Sequence, residues 1–172
     1  MARLQALCLL LAACSTSCAT LKKNEVLQLD ADLACSATKE IAGAIQTAFA
    51  KLMRANKNAN AEEKAGFAAQ ALEESCAADR WREFAVVGEE GRRTYGNFNK
   101  MMSAGGSLDN LHSGPKVGAV LVEACEAIRQ RFGVEIASGM GTSEGMYGFK
   151  LKKRLVKDMV QTCKKEKKKS EL

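Results

Sequence analysis

The sequence predicts a mainly α-helical domain of four helices stapled by disulfides, with a short β-hairpin or extended excursion between the second and third helices. Three observations carry this. Apolar residues recur at three- and four-residue steps in four separate stretches, the period of a helix with one buried face. The four cysteines beyond residue 19, Cys35, Cys76, Cys125 and Cys163, each fall on one of those stretches. Between residues 79 and 102 the helical period lapses and β-branched and aromatic residues take over.

The first twenty residues read MARLQALCLLLAACSTSCAT. Arg3 supplies the early positive charge, residues 4–13 are dominated by Leu and Ala, and Ser17 and Ala19 stand at −3 and −1 of a cut before Thr20. This is the layout of a secretory signal peptide, expected over residues 1–19. The apolar run is shorter than the roughly 20 residues that cross a bilayer. Leu11-Ala12-Ala13-Cys14 offers a rival reading, a bacterial lipobox in which Cys14 would be lipidated.

Residues 20–29 form a polar lead-in without clear period. Asp30 and Asp32 are placed to cap a helix and to favour its N-terminus. Leu33, Ala37, Ile41, Ala44, Ile45, Ala48 and Leu52 then form its buried face to about Arg54. Three asparagines within residues 56–60 break the run. Ala61-Glu62-Glu63 opens a second helix, with Ala68, Ala71, Leu72 and Cys76 on its inner side. Trp81, Phe84, Val86 and Val87 give strand chemistry, Gly88-Glu89-Glu90-Gly91 a turn, and Thr94, Tyr95 and Phe98 a return strand. Residues 103–115 read as loop. Pro115 suits the first turn of a third helix, whose face is Val117, Val120, Leu121, Ala124, Cys125, Ile128 and Phe132, reaching about Ala137. Residues 138–148 read as a glycine-rich connector. Phe149, Val156, Met159, Val160 and Cys163 mark a fourth helix with lysines on its other side.

Four cysteines in an oxidising compartment imply two disulfides, for which there are three pairings. Their placing, at the start of the first helix, the end of the second, inside the third and at the end of the fourth, suggests Cys35–Cys163 and Cys76–Cys125. The chain-entropy model assigns roughly 4–5 kcal/mol to each. The spacings are long and no C-x-x-C occurs, so neither a zinc site nor thiol–disulfide catalysis is expected; Thr38 stands where a second redox cysteine would.

The net charge of +6 is uneven. Residues 150–172 hold ten Lys/Arg and three acids, whereas residues 20–149 hold fifteen and seventeen. Aromatics make up 5% of the chain and none lies within the last 23 residues, so base stacking has no platform there. Nucleic-acid binding is not expected. The chain closes with residues 164–172, a basic run ending Lys169-Ser170-Glu171-Leu172. That tetrapeptide differs at one position from the Lys-Asp-Glu-Leu signal, which a receptor reads to keep soluble proteins in the ER lumen. No Asn-x-Ser/Thr sequon is present.

Catalytic signatures are weak. His112, the single histidine, lies in a Gly/Ser/Asp loop and reads as a solvated loop residue rather than a triad member. Residues 139–145, GMGTSEG, have phosphate-loop composition but match no nucleotide fingerprint. The adjacent pairs Glu73-Glu74 and Glu89-Glu90 make no acid/base couple. Trp81 with Phe84 reads as a packing anchor. No enzyme activity, cofactor or metal is expected.

Helices joined end to end by disulfides behind an ER address have the layout of saposin-like proteins, and the chain resembles the Canopy family of ER-resident saposin-like proteins. The resemblance is carried by L33-A-C-S-A-T-K-E-I41, L72-E-E-S-C76, L121-V-E-A-C125-E-A-I128 and V156-K-D-M-V-Q-T-C163, with R92-R-T-Y95 resembling the family's insert. It covers nearly all of residues 20–163. The family usually carries six cysteines with a C-x-x-C at the first helix; here Thr38 replaces the second, and one C-terminal cysteine is also missing. The family's nested pairing then implies the same two bridges. The resemblance implies an ER luminal adaptor or co-chaperone that assists folding or export of client secretory or receptor proteins, with ER chaperones and a KDEL-type receptor as partners. The alternative is a saposin-like lipid-binding protein whose basic fourth helix meets anionic lipid.

Overall fold

A computed structural model describes residues 23–105, 110–143 and 149–163. The expected signal peptide and the retrieval tail, including Lys169, Ser170, Glu171 and Leu172, lie outside the described residues. The domain is mainly helical with a small three-stranded sheet. Helix α1 spans Ala31–Ala55 and α2 spans Ala61–Cys76. A short 3-10 turn, Ala78–Trp81, leads into strands β1 (Phe84–Val87) and β2 (Thr94–Asn97). Helix α3 (Phe98–Ser103), strand β3 (His112–Ser113), helix α4 (Pro115–Thr142) and helix α5 (Leu151–Arg154) follow. Helix α5 continues as a π-turn over Leu155–Met159.

Helix α4 packs mainly on α2, α2 also packs on α1, and α5 with its π-turn lies on α1. The shared core is Ile41 and Ile45 of α1, Leu72 of α2, and Leu121, Ile128 and Ile136 of α4. Full burial of each such side chain is worth about 1.5–3 kcal/mol. Alanines 34, 37, 68, 71 and 124 fill the spaces between and let the helices approach closely. Trp81 is 1% exposed; its indole N–H donates to the Ser75 carbonyl at 3.0 Å and its ring meets Phe84 edge-on at 4.9 Å.

Several boundaries differ from the sequence expectation. Asp30 stands at the N-cap of α1 but its side chain makes no cap hydrogen bond, being engaged by Arg93 instead. Asn60 opens α2 with a capping box: its side chain accepts from the Glu63 N–H at 3.0 Å, and Glu63 accepts from the Asn60 N–H at 2.8 Å. The return strand ends at Asn97, because Asn97 caps α3 by accepting from the Lys100 N–H; Phe98 is therefore helical. The segment expected as loop contributes β3, so the sheet has the order β2-β1-β3, antiparallel throughout, with Val86 opposite both Tyr95 and His112.

Helix α4 runs five residues beyond Ala137. Its glycines are contact points, not a connector. A Cβ on Gly139 would overlap the Phe149 ring, and one on Gly141 would lie 2.8 Å from the Ala61 carbonyl oxygen. Gly118 is likewise pressed on the Trp81 backbone, 2.8 Å from its carbonyl oxygen. Close packing offsets the helix-propensity cost of about 1 kcal/mol per glycine. The fourth helix is much shorter than expected, and Cys163 lies three residues beyond Val160, where the π-turn has ended.

Candidate interaction surfaces

The two disulfides join Cys35 to Cys163 and Cys76 to Cys125, with Cα atoms 4.9 Å and 5.3 Å apart. The first ties the start of α1 to the chain end after α5. The second ties the end of α2 to the middle of α4, the pair of helices in most extensive contact. Thr38 is fully buried. Its hydroxyl donates to the Ala34 carbonyl at 2.8 Å and meets the hydroxyl of Thr162 at 3.3 Å. A hydroxyl pair thus occupies this point of the α1 contact next to the outer bridge.

The hairpin is clamped to α1 by polar groups. Arg93 donates from its backbone N–H and its Nε to Asp32 Oδ2, both at 3.0 Å, and from Nη2 to Asp30 at 2.7 Å. Ser36 Oγ accepts from the Tyr95 N–H at 2.8 Å and lies 3.3 Å from the Tyr95 carbonyl. The serine therefore serves as a strand partner at the edge of β2, which would otherwise be open. Burial pushes the Asp32 carboxyl up, but the hydrogen bonds from Arg93 and from the Leu33 N–H outweigh it and hold the group below its ordinary value. The same two aspartates raise Arg93. None of this was readable from residues some sixty positions apart.

Two open concavities flank this frame. One, of about 630 Å³, lies among α1, the hairpin and α3; Glu40, Arg80 and Lys100 contribute charge and Trp81 and Phe84 an aromatic wall. Burial raises the Glu40 carboxyl, offset in part by Lys152 and Lys100. The second is a groove of about 830 Å³ along α2 and α4. Ala65, Ala69, Gly133 and Ala137 leave it shallow and apolar, Glu73 and Arg129 stand at its edge, and Val134, 87% exposed, borders it. An exposed valine beside an apolar groove is suited to covering by another apolar chain.

The remaining sequence candidates fall apart as sites. His112 is an exposed strand residue. Glu74 accepts from Gln70 at 2.8 Å, whereas Glu73 lines the α2–α4 groove. Glu89 lies in the hairpin turn, its carbonyl accepting from the Arg92 N–H. Residues 139–142 belong to the end of α4, Ser143 is its C-cap, and Glu144 and Gly145 lie outside the described residues. Among the described residues no group of three or more His, Cys, Asp or Glu could hold a metal ion, and no helix is long and apolar enough to cross a membrane. Compared with protein-family models, curated proteins and solved structures, the chain matches none.

Proposed function

We propose that the protein is a non-enzymatic adaptor or co-chaperone of the ER lumen that assists folding or export of client secretory or membrane proteins. The observation that carries the reading is the pair of long-range disulfides, which takes up all four cysteines beyond residue 19 and suits an oxidising compartment. The signal-like first nineteen residues and the terminal Lys169-Ser170-Glu171-Leu172 agree with that compartment. The resemblance to the Canopy family and its saposin-like fold supplies the adaptor role. In this reading the open α2–α4 groove, bordered by Val134, is the face offered to a client's exposed apolar segment.

The test has two parts. Full-length chain expressed in secretory cells is expected to remain in the ER, and a chain lacking Lys169–Leu172 to appear in the medium. Equal secretion of both, or failure of either to enter the pathway, overturns the compartment. A photo-crosslinker at position 134 is then expected to capture secretory clients in the lumen, and one at the exposed Lys57 not to. Equal capture from both positions overturns the groove. Lipid binding at anionic surfaces is the second reading, favoured by the lysines of α5; anionic-vesicle sedimentation separates it from the first.

A further inference from the structure

Helix α5 and its π-turn carry Lys152, Lys153 and Lys157, and Lys150 stands at the N-cap of α5. Lys153 and Lys157 are four residues apart and share a face. Opposite them on α1 stand Lys39 and Gln46, seven apart and so also on one face. Between the two elements lies a groove of about 420 Å³, lined by these five lysines with the buried Val156 among them.

We propose that this groove docks an acidic segment of a partner protein. The lysines line the groove with their apolar stems and gather five positive charges around it, and a chain of carboxylates laid along it meets them with complementary charge. Among the described residues none of the five is ion-paired within hydrogen-bonding reach. The half-buried Glu40 feels the charge of Lys152 without an ion pair between them. The walls are held in place. Leu151 and Leu155 are buried in the core, the Arg154 guanidinium stacks 4.7 Å over the Phe149 ring, the Asn24 amide donates to the Val160 carbonyl at 3.0 Å, and Cys163 is bonded to Cys35. Such fixed walls lower the ordering cost of binding. Lysines act as point charges without the bidentate geometry of arginine, so the groove selects acidity over a particular sequence.

A membrane surface is the other anionic partner of this chemistry, and the geometry disfavours it. A helix lying in a bilayer interface needs an apolar face to bury there. Of the apolar side chains of α5 and its π-turn, Leu151, Leu155 and Val156 are already buried in the domain and Met159 is partly buried against its core. The large exposed apolar side chains of the described residues, Met102 and Val134, lie on α3 and α4. The inference rests on the adaptor reading for its cellular setting, but its test is made on the purified chain, so either can fail alone.

The test is fluorescence anisotropy of a short fluorescein-labelled poly-glutamate peptide with the full, disulfide-intact chain. Binding is expected, strongly weakened by added salt, with none to the poly-glutamine counterpart. Lys153→Glu with Lys157→Glu is expected to weaken it by about tenfold or more, the scale of losing close charge pairs. Lys51→Glu with Lys57→Glu, which changes the net charge equally elsewhere, is expected to change it by less than about twofold. All four lysines are exposed, and intact mass and circular dichroism confirm folding; Lys153→Gln with Lys157→Gln serves if the reversal does not fold. No peptide binding, or equal loss in the two charge reversals, overturns the proposal. So does binding of phosphatidylglycerol vesicles in the absence of peptide binding, which would make the groove a membrane contact.

Discussion

Replacing Cys35 and Cys163 together by serine removes the outer bridge and leaves the inner one. The bridged residues are 128 apart, and the inner bridge already closes 49 of these positions, so the loop released in the unfolded chain is effectively about 80 residues. The chain-entropy relation assigns such a loop about 4.5 kcal/mol. Both cysteines are partly exposed, so serine adds little cavity or desolvation cost. Measured bridges centre on about 2–4 kcal/mol, and the expected loss is therefore about 3–4.5 kcal/mol. Asn24, Thr162 and Phe149 still hold the last segment on the core, so the loss should fall on the global transition. Urea unfolding followed by the buried Trp81 and by far-ultraviolet circular dichroism should show one coincident transition at a lower midpoint, with m unchanged or larger. A loss under about 1 kcal/mol with coincident probes would refute the entropic reasoning. A separate early phase seen by one probe would show that the last segment detaches on its own.

Arg93→Ala leaves Asp32, whose side chain is 7% exposed, without its cation, and should cost about 2–4 kcal/mol in urea melts, below the full penalty of a deeply buried pair because Arg93 and Asp30 keep some solvent. Asp32 lies below its ordinary 3.8 in the folded state, so its contribution is present above that pH and is lost as pH falls through the lower folded value. The acid limb of stability against pH should therefore flatten in Arg93→Ala. Glu40 has the opposite sign: its raised carboxyl weakens folding as pH rises above its ordinary 4.5, so Glu40→Gln should raise the urea midpoint at pH 7 and leave it nearly unchanged at pH 4. Gly118→Ala places a Cβ against the fixed Trp81 backbone and should destabilise by about 1–2 kcal/mol despite better propensity. Gly66→Ala meets nothing within 4 Å and should stabilise by about 0.5–1 kcal/mol; thermal melts of the two should shift in opposite directions.

The helices were legible where a local period determines them. Ile41, Ile45 and Ala48, or Leu121, Ala124 and Ile128, announce their buried faces without reference to anything distant. The cysteine pairing was suggested by the order of the helices, and the same two pairs are joined in the structure although Cys163 lies beyond the last helical turn. What escaped depends on contacts between distant segments. Gly139 and Gly141 read as connector because glycine lowers helix propensity, and only the approach of Phe149 and Ala61 shows why they are helical. Strand β3 is two residues long, too short to show alternation. Asp30 and Asp32 have the chemistry of caps, and Arg93 diverts them. The lysine groove needs Lys39 and Lys153 brought together from opposite ends of the domain, a juxtaposition that charge counting cannot show.

The central claim is a helical module closed by two disulfides in the secretory pathway. Its most direct test is intact mass with non-reducing peptide mapping of the protein isolated from secretory cells. The account predicts a chain that begins near Thr20 and retains Leu172, with Cys35 linked to Cys163 and Cys76 to Cys125. Four free thiols, a different pairing, or a chain beginning at a lipidated Cys14 would contradict it.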